Sequence, residues 1–121
     1  MARRDICAVL MALLLLCGCE GPSHDETLLR AIRTESDRLM AARPAKSPPG
    51  WTEIPGNEWP PAIASLHPFN VTVFEWGVDI TTKPYFDGGW GYEIARSKNG
   101  LPMPAGCYSE PSPGVFWHGP C

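Results

Sequence analysis

The chain lacks an apolar run long enough to cross a bilayer. Its longest, Ile6 to Leu16, covers about 11 residues, whereas a membrane-spanning helix needs roughly 20. It also lacks an excess of charge. A formal net charge of −3 over 121 residues gives no electrostatic footprint for nucleic acid or for anionic lipid headgroups. Internal repeats are missing, which removes solenoids and propellers. Asp87-Gly88-Gly89-Trp90-Gly91-Tyr92-Glu93-Ile94 matches the glycine-rich calcium repeat only superficially, because that ion shell needs tandem copies and a single copy reads as a turn entering a strand. No Ala-x-Ala cleavage pattern occurs near the apolar run, and the chain has no Gly-x-Ser-x-Gly nucleophile elbow and no His-x-x-x-His pair. Aromatic residues are absent before Trp51, and every proline except Pro22 lies after Arg43. Length allows one domain at most, and composition splits the chain into two unlike parts.

The first part has the layout of a signal peptide: Arg3 and Arg4, then the apolar run, then the small residue Gly18. Leu16-Cys17-Gly18-Cys19 resembles the lipobox of bacterial lipoproteins, with Leu at −3, a small residue at −1 and Cys at +1. The resemblance implies cleavage between Gly18 and Cys19, removal of residues 1–18, and acylation of the Cys19 thiol and its new amine. Cys17 fits the pattern less well, since bulky Leu16 would occupy its −1 position. Residues 19–23 become the lipid anchor and spacer. An Asp after the lipidated cysteine commonly retains such proteins in the inner membrane; Glu20 implies instead the inner leaflet of the outer membrane, facing the periplasm. Attachment then rests on the acyl chains, worth about 0.8 kcal/mol per buried methylene. Losing Arg3, Arg4 and Asp5 makes the remaining chain one unit more negative.

The same resemblance accounts for all 5 cysteines. Cys7 and Cys17 leave with the signal peptide and Cys19 carries lipid. Cys107 and Cys121 are left to form a disulfide in a compartment that favours one. It would close a loop of about 15 residues, worth roughly 3 kcal/mol. A zinc site is the competing reading, weak with two cysteines so spaced.

Ser23-x-x-Glu26 has the form of a capping box, and Leu28, Ile32 and Leu39, flanked by Leu29 and Met40, recur at helical spacing. These predict an amphipathic helix over 24–43, with Glu26–Arg30 and Arg33–Asp37 as surface pairs and Pro44 as its stop. Residues 44–50 read as a stiff, extended proline-rich linker, and 51–121 as the aromatic-rich body. Within the body, Trp59 to Leu66 reads as a short helical turn with Pro60 and Pro61 at its start. Asn70 to Trp76, Val78 to Thr82 and Trp90 to Ala95 read as strands, with Trp90, Tyr92 and Ile94 on one face and Gly91, Glu93 and Ala95 on the other. Tyr108 and Ser109 should face Phe116 and Trp117 across a Pro111–Gly114 turn. The expected fold is α+β, an N-terminal amphipathic helix followed by a small antiparallel β-meander of about three to five strands.

No catalytic set emerges. Ser109, Glu110 and His118 offer a nucleophile, an acid and a base, but adjacent residues on a strand point to opposite faces. Glu75, Asp79, Asp87 and Glu93 offer paired carboxylates for glycosidic cleavage, against which stands the simpler reading of solvent-facing strand residues. His24, His67 and His118 have no metal-ligand spacing, so neither metal nor cofactor is expected. Trp51, Trp59, Trp76, Trp90 and Trp117 either fill a thin core or present a binding surface, with Trp76, Trp90 and Trp117 the candidate binding aromatics and Trp76, beside Gly77, the one expected to be exposed. The expected function is a non-enzymatic, membrane-anchored accessory protein that binds an envelope protein. The alternative is a module that binds peptidoglycan or lipopolysaccharide through tryptophans. A small hydrolase ranks last.

Overall fold

The computed structural model describes residues 21–86 and 88–121. The signal-peptide stretch with Gly18 and Cys19, and Asp87 of the expected carboxylate group, lie outside the described residues.

Helix α1 spans Glu26–Ala42, and its N-cap is Asp25 rather than Ser23. The Asp25 carboxylate accepts the amides of Thr27 and Leu28 at 3.0 and 3.3 Å, while the Ser23 hydroxyl accepts the Asp25 amide at 3.1 Å. Asp prevails because one oxygen serves two orphan amides and brings negative charge to the positive end of the helix. Glu26, released from the expected box, accepts the Ser112 hydroxyl instead. Arg33 likewise turns away from the expected pair with Asp37 and donates Nη1 to the Pro113 carbonyl at 2.8 Å. Both contacts pin α1 to the last hairpin. Its buried stripe is Leu29, Ile32, Ser36 and Leu39, a helical spacing facing one core.

Residues 44–50 do not extend. The Gly50 amide donates to the Lys46 carbonyl, and the resulting turn delivers the chain to β1 (Trp51–Glu53). A short helix α2 (Pro61–Ser65) follows, with Pro60 at its N-cap as the prolines predict. Proline has no side-chain acceptor to cap a helix, and Glu35 of α1 supplies one, accepting the Ala62 and Ile63 amides at 3.0 and 2.9 Å. The remaining strands are β2 (Asn70–Phe74), β3 (Val78–Lys83), β4 (Trp90–Ile94), β5 (Tyr108–Ser112) and β6 (Val115–His118).

Helix plus antiparallel sheet is therefore the architecture, and it is mostly β. Among the described residues the expected three to five strands are corrected to six, ordered β1-β2-β3-β4-β6-β5. The meander is also broken at its end, because β6 pairs with β4 and leaves β5 at the edge. Edge placement is what allows Pro111 inside β5, since proline cannot donate to a ladder.

Val71, Val73, Val78, Ile80, Tyr92, Ile94 and Val115 form one face of the sheet and pack on Leu29, Ile32, Leu39, Ile54 and Ile63. The helix is thus built into the same core as the strands and is not a separate region. On the opposite face the segment between β4 and β5 folds back over part of the sheet, burying Ala95, Leu101, Tyr108 and Phe116 beside Trp76, Met103 and Cys107. The Cys107–Cys121 disulfide is formed, with Cα atoms 5.9 Å apart, and fastens the C-terminus to that covering segment. Among the described residues, no helix is long and apolar enough to cross a membrane.

Candidate functional site

Strand register decides what stands on the face away from the helix. Glu53 pairs with Thr72, Thr72 with Asp79, and Asp79 with Glu93. In the neighbouring row Asn70 pairs with Thr81, Thr81 with Gly91, Gly91 with His118, and His118 with Tyr108. Paired residues share a face, so both rows lie together on it. The covering segment closes the β4-β6-β5 half, while the β1-β2-β3 half stays open. Asp79, Glu93 and His118 stand on the border.

These three residues form a tight cluster, each offering one atom within 4.8 Å of the others. Glu93 and His118 are both 4% exposed, and His118 Nε2 lies 3.5 Å from Glu93 Oε1. His118 Nδ1 is 3.2 Å from the Gly119 carbonyl; a carbonyl only accepts, so Nδ1 carries the proton and Nε2 is turned toward the carboxylates. Among the described residues, Nε2 has no hydrogen-bond partner. The other oxygens are held from behind: the Tyr108 hydroxyl donates to Glu93 Oε2 at 2.7 Å, and the Thr81 hydroxyl donates to Asp79 Oδ2 at 2.8 Å. Burial pushes the Asp79 and Glu93 carboxyls above their ordinary values, outweighing the hydroxyl donors and His118 that pull them down. Tyr108 is pushed upward too, first by burial and then by its bond to the Glu93 carboxylate.

Along the open half runs a row of aromatic rings. Trp51 pairs with Phe74 across β1 and β2, and Phe74 stacks on Trp76 with centroids 5.1 Å apart and planes 10° from parallel. Trp51, Glu53, Asn70, Thr72 and Phe74 line a shallow groove of about 340 Å³. At its other end Trp76 borders a larger open cleft of about 680 Å³ that also takes in Arg33, Asp37, Glu75 and Arg96. The row is an apolar platform with carboxylate, amide, hydroxyl and guanidinium groups along its edges.

The three candidate tryptophans do not meet. Trp76 stands at the border of the open half, half-buried between Phe74, on which it stacks, and the cluster under the covering segment. Trp117 packs edge-on to Tyr92 at 4.9 Å in the helix-side core. Trp90 sits beside Tyr85 at 5.6 Å, with the Lys83 ammonium over its ring. The most exposed tryptophan is Trp51, at 48%, rather than Trp76. Ser109 and Glu110 are exposed on β5, and His118 faces Glu93 instead of either. Glu75 is exposed in the β2–β3 turn, so among the described carboxylates only Asp79 and Glu93 come together. Spacing along the chain concealed the cluster because each member sits on a different strand. The available signal was an ionisable residue embedded in each of three apolar strands: Asp79 between Val78 and Ile80, Glu93 between Tyr92 and Ile94, and His118 after Val115-Phe116-Trp117.

Comparison with known proteins brings no match, whether to a family model, a curated protein or a solved structure.

Proposed function

We propose that this chain is a lipid-anchored, non-enzymatic envelope protein of a bacterium, facing the periplasm, whose β-sheet binds a glycan through Trp51, Phe74 and Trp76. The observation that carries the reading is asymmetry between the two faces of the sheet. One is sealed by α1 and α2. The other leaves Trp51 and Phe74 uncovered on the β1-β2 half, with Trp76 stacked on Phe74 at the rim of the covered half, and Glu53, Thr72, Asn70 and Arg96 along the edges. Sugars present apolar ring faces surrounded by hydroxyl groups, and a flat aromatic platform with polar edges meets both requirements. Peptidoglycan is the glycan that a periplasm-facing anchor would place within reach. Lipidation at Cys19 supplies that anchor.

Two measurements test this. Purified chain should co-sediment with insoluble peptidoglycan sacculi, and Trp51→Ala and Trp76→Ala should each weaken retention; recovery in the supernatant would overturn the glycan reading. In cells, a palmitate analogue should label the protein, and Cys19→Ala should abolish labelling. Unlabelled wild-type protein would remove the anchor.

The expectation of a protein partner keeps one supporting observation. Phe69, Tyr85 and Phe86 are 62%, 57% and 98% exposed around the β2 start and β3 end, and clustered exposed aromatics are what protein hot spots are made from. Cross-linking in cells, with loss of the captured protein on Phe86→Ser, would favour that reading over the glycan.

A further inference from the structure

We propose that Asp79, Glu93 and His118 form a binding site for one divalent transition-metal ion, with zinc as the type case. Two independent features point to a cation. The first is the gathering of two carboxylates and an imidazole from three strands within 4.8 Å. The second is His118 itself: its side chain is buried, its Nε2 faces the carboxylates, and that atom has no hydrogen-bond partner. Buried Nε2 has exchanged its hydration for no more than the Glu93 carboxylate at 3.5 Å, and a metal ion that displaces any proton on that nitrogen gives it a full partner.

The supporting groups have the pattern that metal sites require. Histidine ligands characteristically donate the second ring N–H to a carbonyl, which fixes the tautomer and presents the free lone pair; the Gly119 carbonyl stands in that position for Nδ1. Ligating carboxylates are held by hydroxyl or amide donors: Tyr108 holds the Glu93 oxygen that does not face His118, and Thr81 donates to one oxygen of Asp79. Geometry agrees as well. Bonds of about 2.0–2.2 Å to a tetrahedral zinc place neighbouring donors about 3.3–3.6 Å apart, and His118 Nε2 to Glu93 Oε1 is 3.5 Å. Asp79 is the least enclosed of the three, so its side chain is the one that swings to close the triangle. One imidazole with two carboxylates suits zinc or manganese rather than calcium, which takes 6–8 oxygen donors. Three protein ligands would leave one position of a tetrahedral ion for water or another ligand.

Titration calorimetry of the full chain, freed of metal with EDTA and with Cys7, Cys17 and Cys19 replaced by Ser so that thiols do not compete, provides the test. Zn²⁺ should bind once per chain, and Ca²⁺ should not compete. Asp79→Asn, Glu93→Gln and His118→Gln should each weaken Zn²⁺ by at least about tenfold, and so should the milder Tyr108→Phe, which removes only a supporting donor. Co²⁺ should give the intense visible absorption of a four-coordinate site, lost in His118→Gln. Should a ligand variant fail to fold, Tyr108→Phe and the Co²⁺ spectrum of the parent chain decide. Absence of saturable Zn²⁺ binding by the parent chain, or binding unchanged in a folded His118→Gln, would overturn the proposal. Binding to sacculi is measured separately on Trp51 variants, so failure of the glycan reading leaves this result standing.

Discussion

Asp79 and Glu93 are direct cross-strand partners on β3 and β4, two carboxylates placed side by side on a partly closed sheet face. Like charges directly opposed destabilise a sheet, and both groups are pushed above their ordinary values by burial. A fold assembled for stability alone has no use for such a pair.

This relationship sets the pH dependence of the metal-free protein. The folded-state values lie above the 3.8 and 4.5 of the free groups. The pair therefore contributes stability that is fully present below those values and is lost as pH rises through the folded-state ones. Asp79→Asn and Glu93→Gln remove the ionisation while keeping shape, and the amide oxygen introduced by Glu93→Gln still accepts the Tyr108 hydroxyl. Each should stabilise the metal-free chain at neutral pH and flatten the fall of its stability as pH rises above the free-group values. Urea unfolding at several pH values checks this, and a loss of stability at neutral pH in both variants would contradict it.

Ser36 is fully buried in the apolar stripe of α1, and its hydroxyl has no partner. Ser36→Ala removes an unsatisfied polar group and substitutes a better helix former, so the unfolding free energy should rise by about 1 kcal/mol. A lower thermal midpoint for the variant would show that the hydroxyl does have a stabilising partner.

Gly77 closes the turn between β2 and β3, with its backbone pressed against β4. A Cβ there would overlap the Ile94 carbonyl oxygen, which belongs to the sheet and cannot move aside as a side-chain tip would. Gly77→Ala should lose about 2–3 kcal/mol. Gly100, where an added methyl group would meet only open space, is the control position and should tolerate alanine within about 0.5 kcal/mol.

The central strands were legible because Val71 and Val73, Val78 and Ile80, and Tyr92 and Ile94 alternate with less apolar neighbours. The helix showed through Ile32 and Leu39, and the disulfide through the count of cysteines. What escaped was whatever depends on pairing. β1 has three residues, too few to show a period, and β5, whose hairpin with β6 was expected, runs on through Pro111 and Ser112, which read as part of the turn. Nothing in the hairpin sequence says that β6 rather than β5 lies against β4, yet that choice brings His118 to Glu93. Asp79 and Glu93 read as solvent-facing because alternation gives a face but not what covers it. Along the chain Trp51 merely heads the body, and only its pairing with Phe74 makes it part of a row with Trp76.

Glycan binding by that row is tested by titrating the protein with soluble peptidoglycan fragments while following tryptophan fluorescence. Quenching should be saturable, lost in Trp51→Ala and Trp76→Ala, and retained in Trp117→Phe, whose ring belongs to the opposite core. Emission that stays unchanged at millimolar fragment, or quenching that survives in both Trp51→Ala and Trp76→Ala, would contradict it.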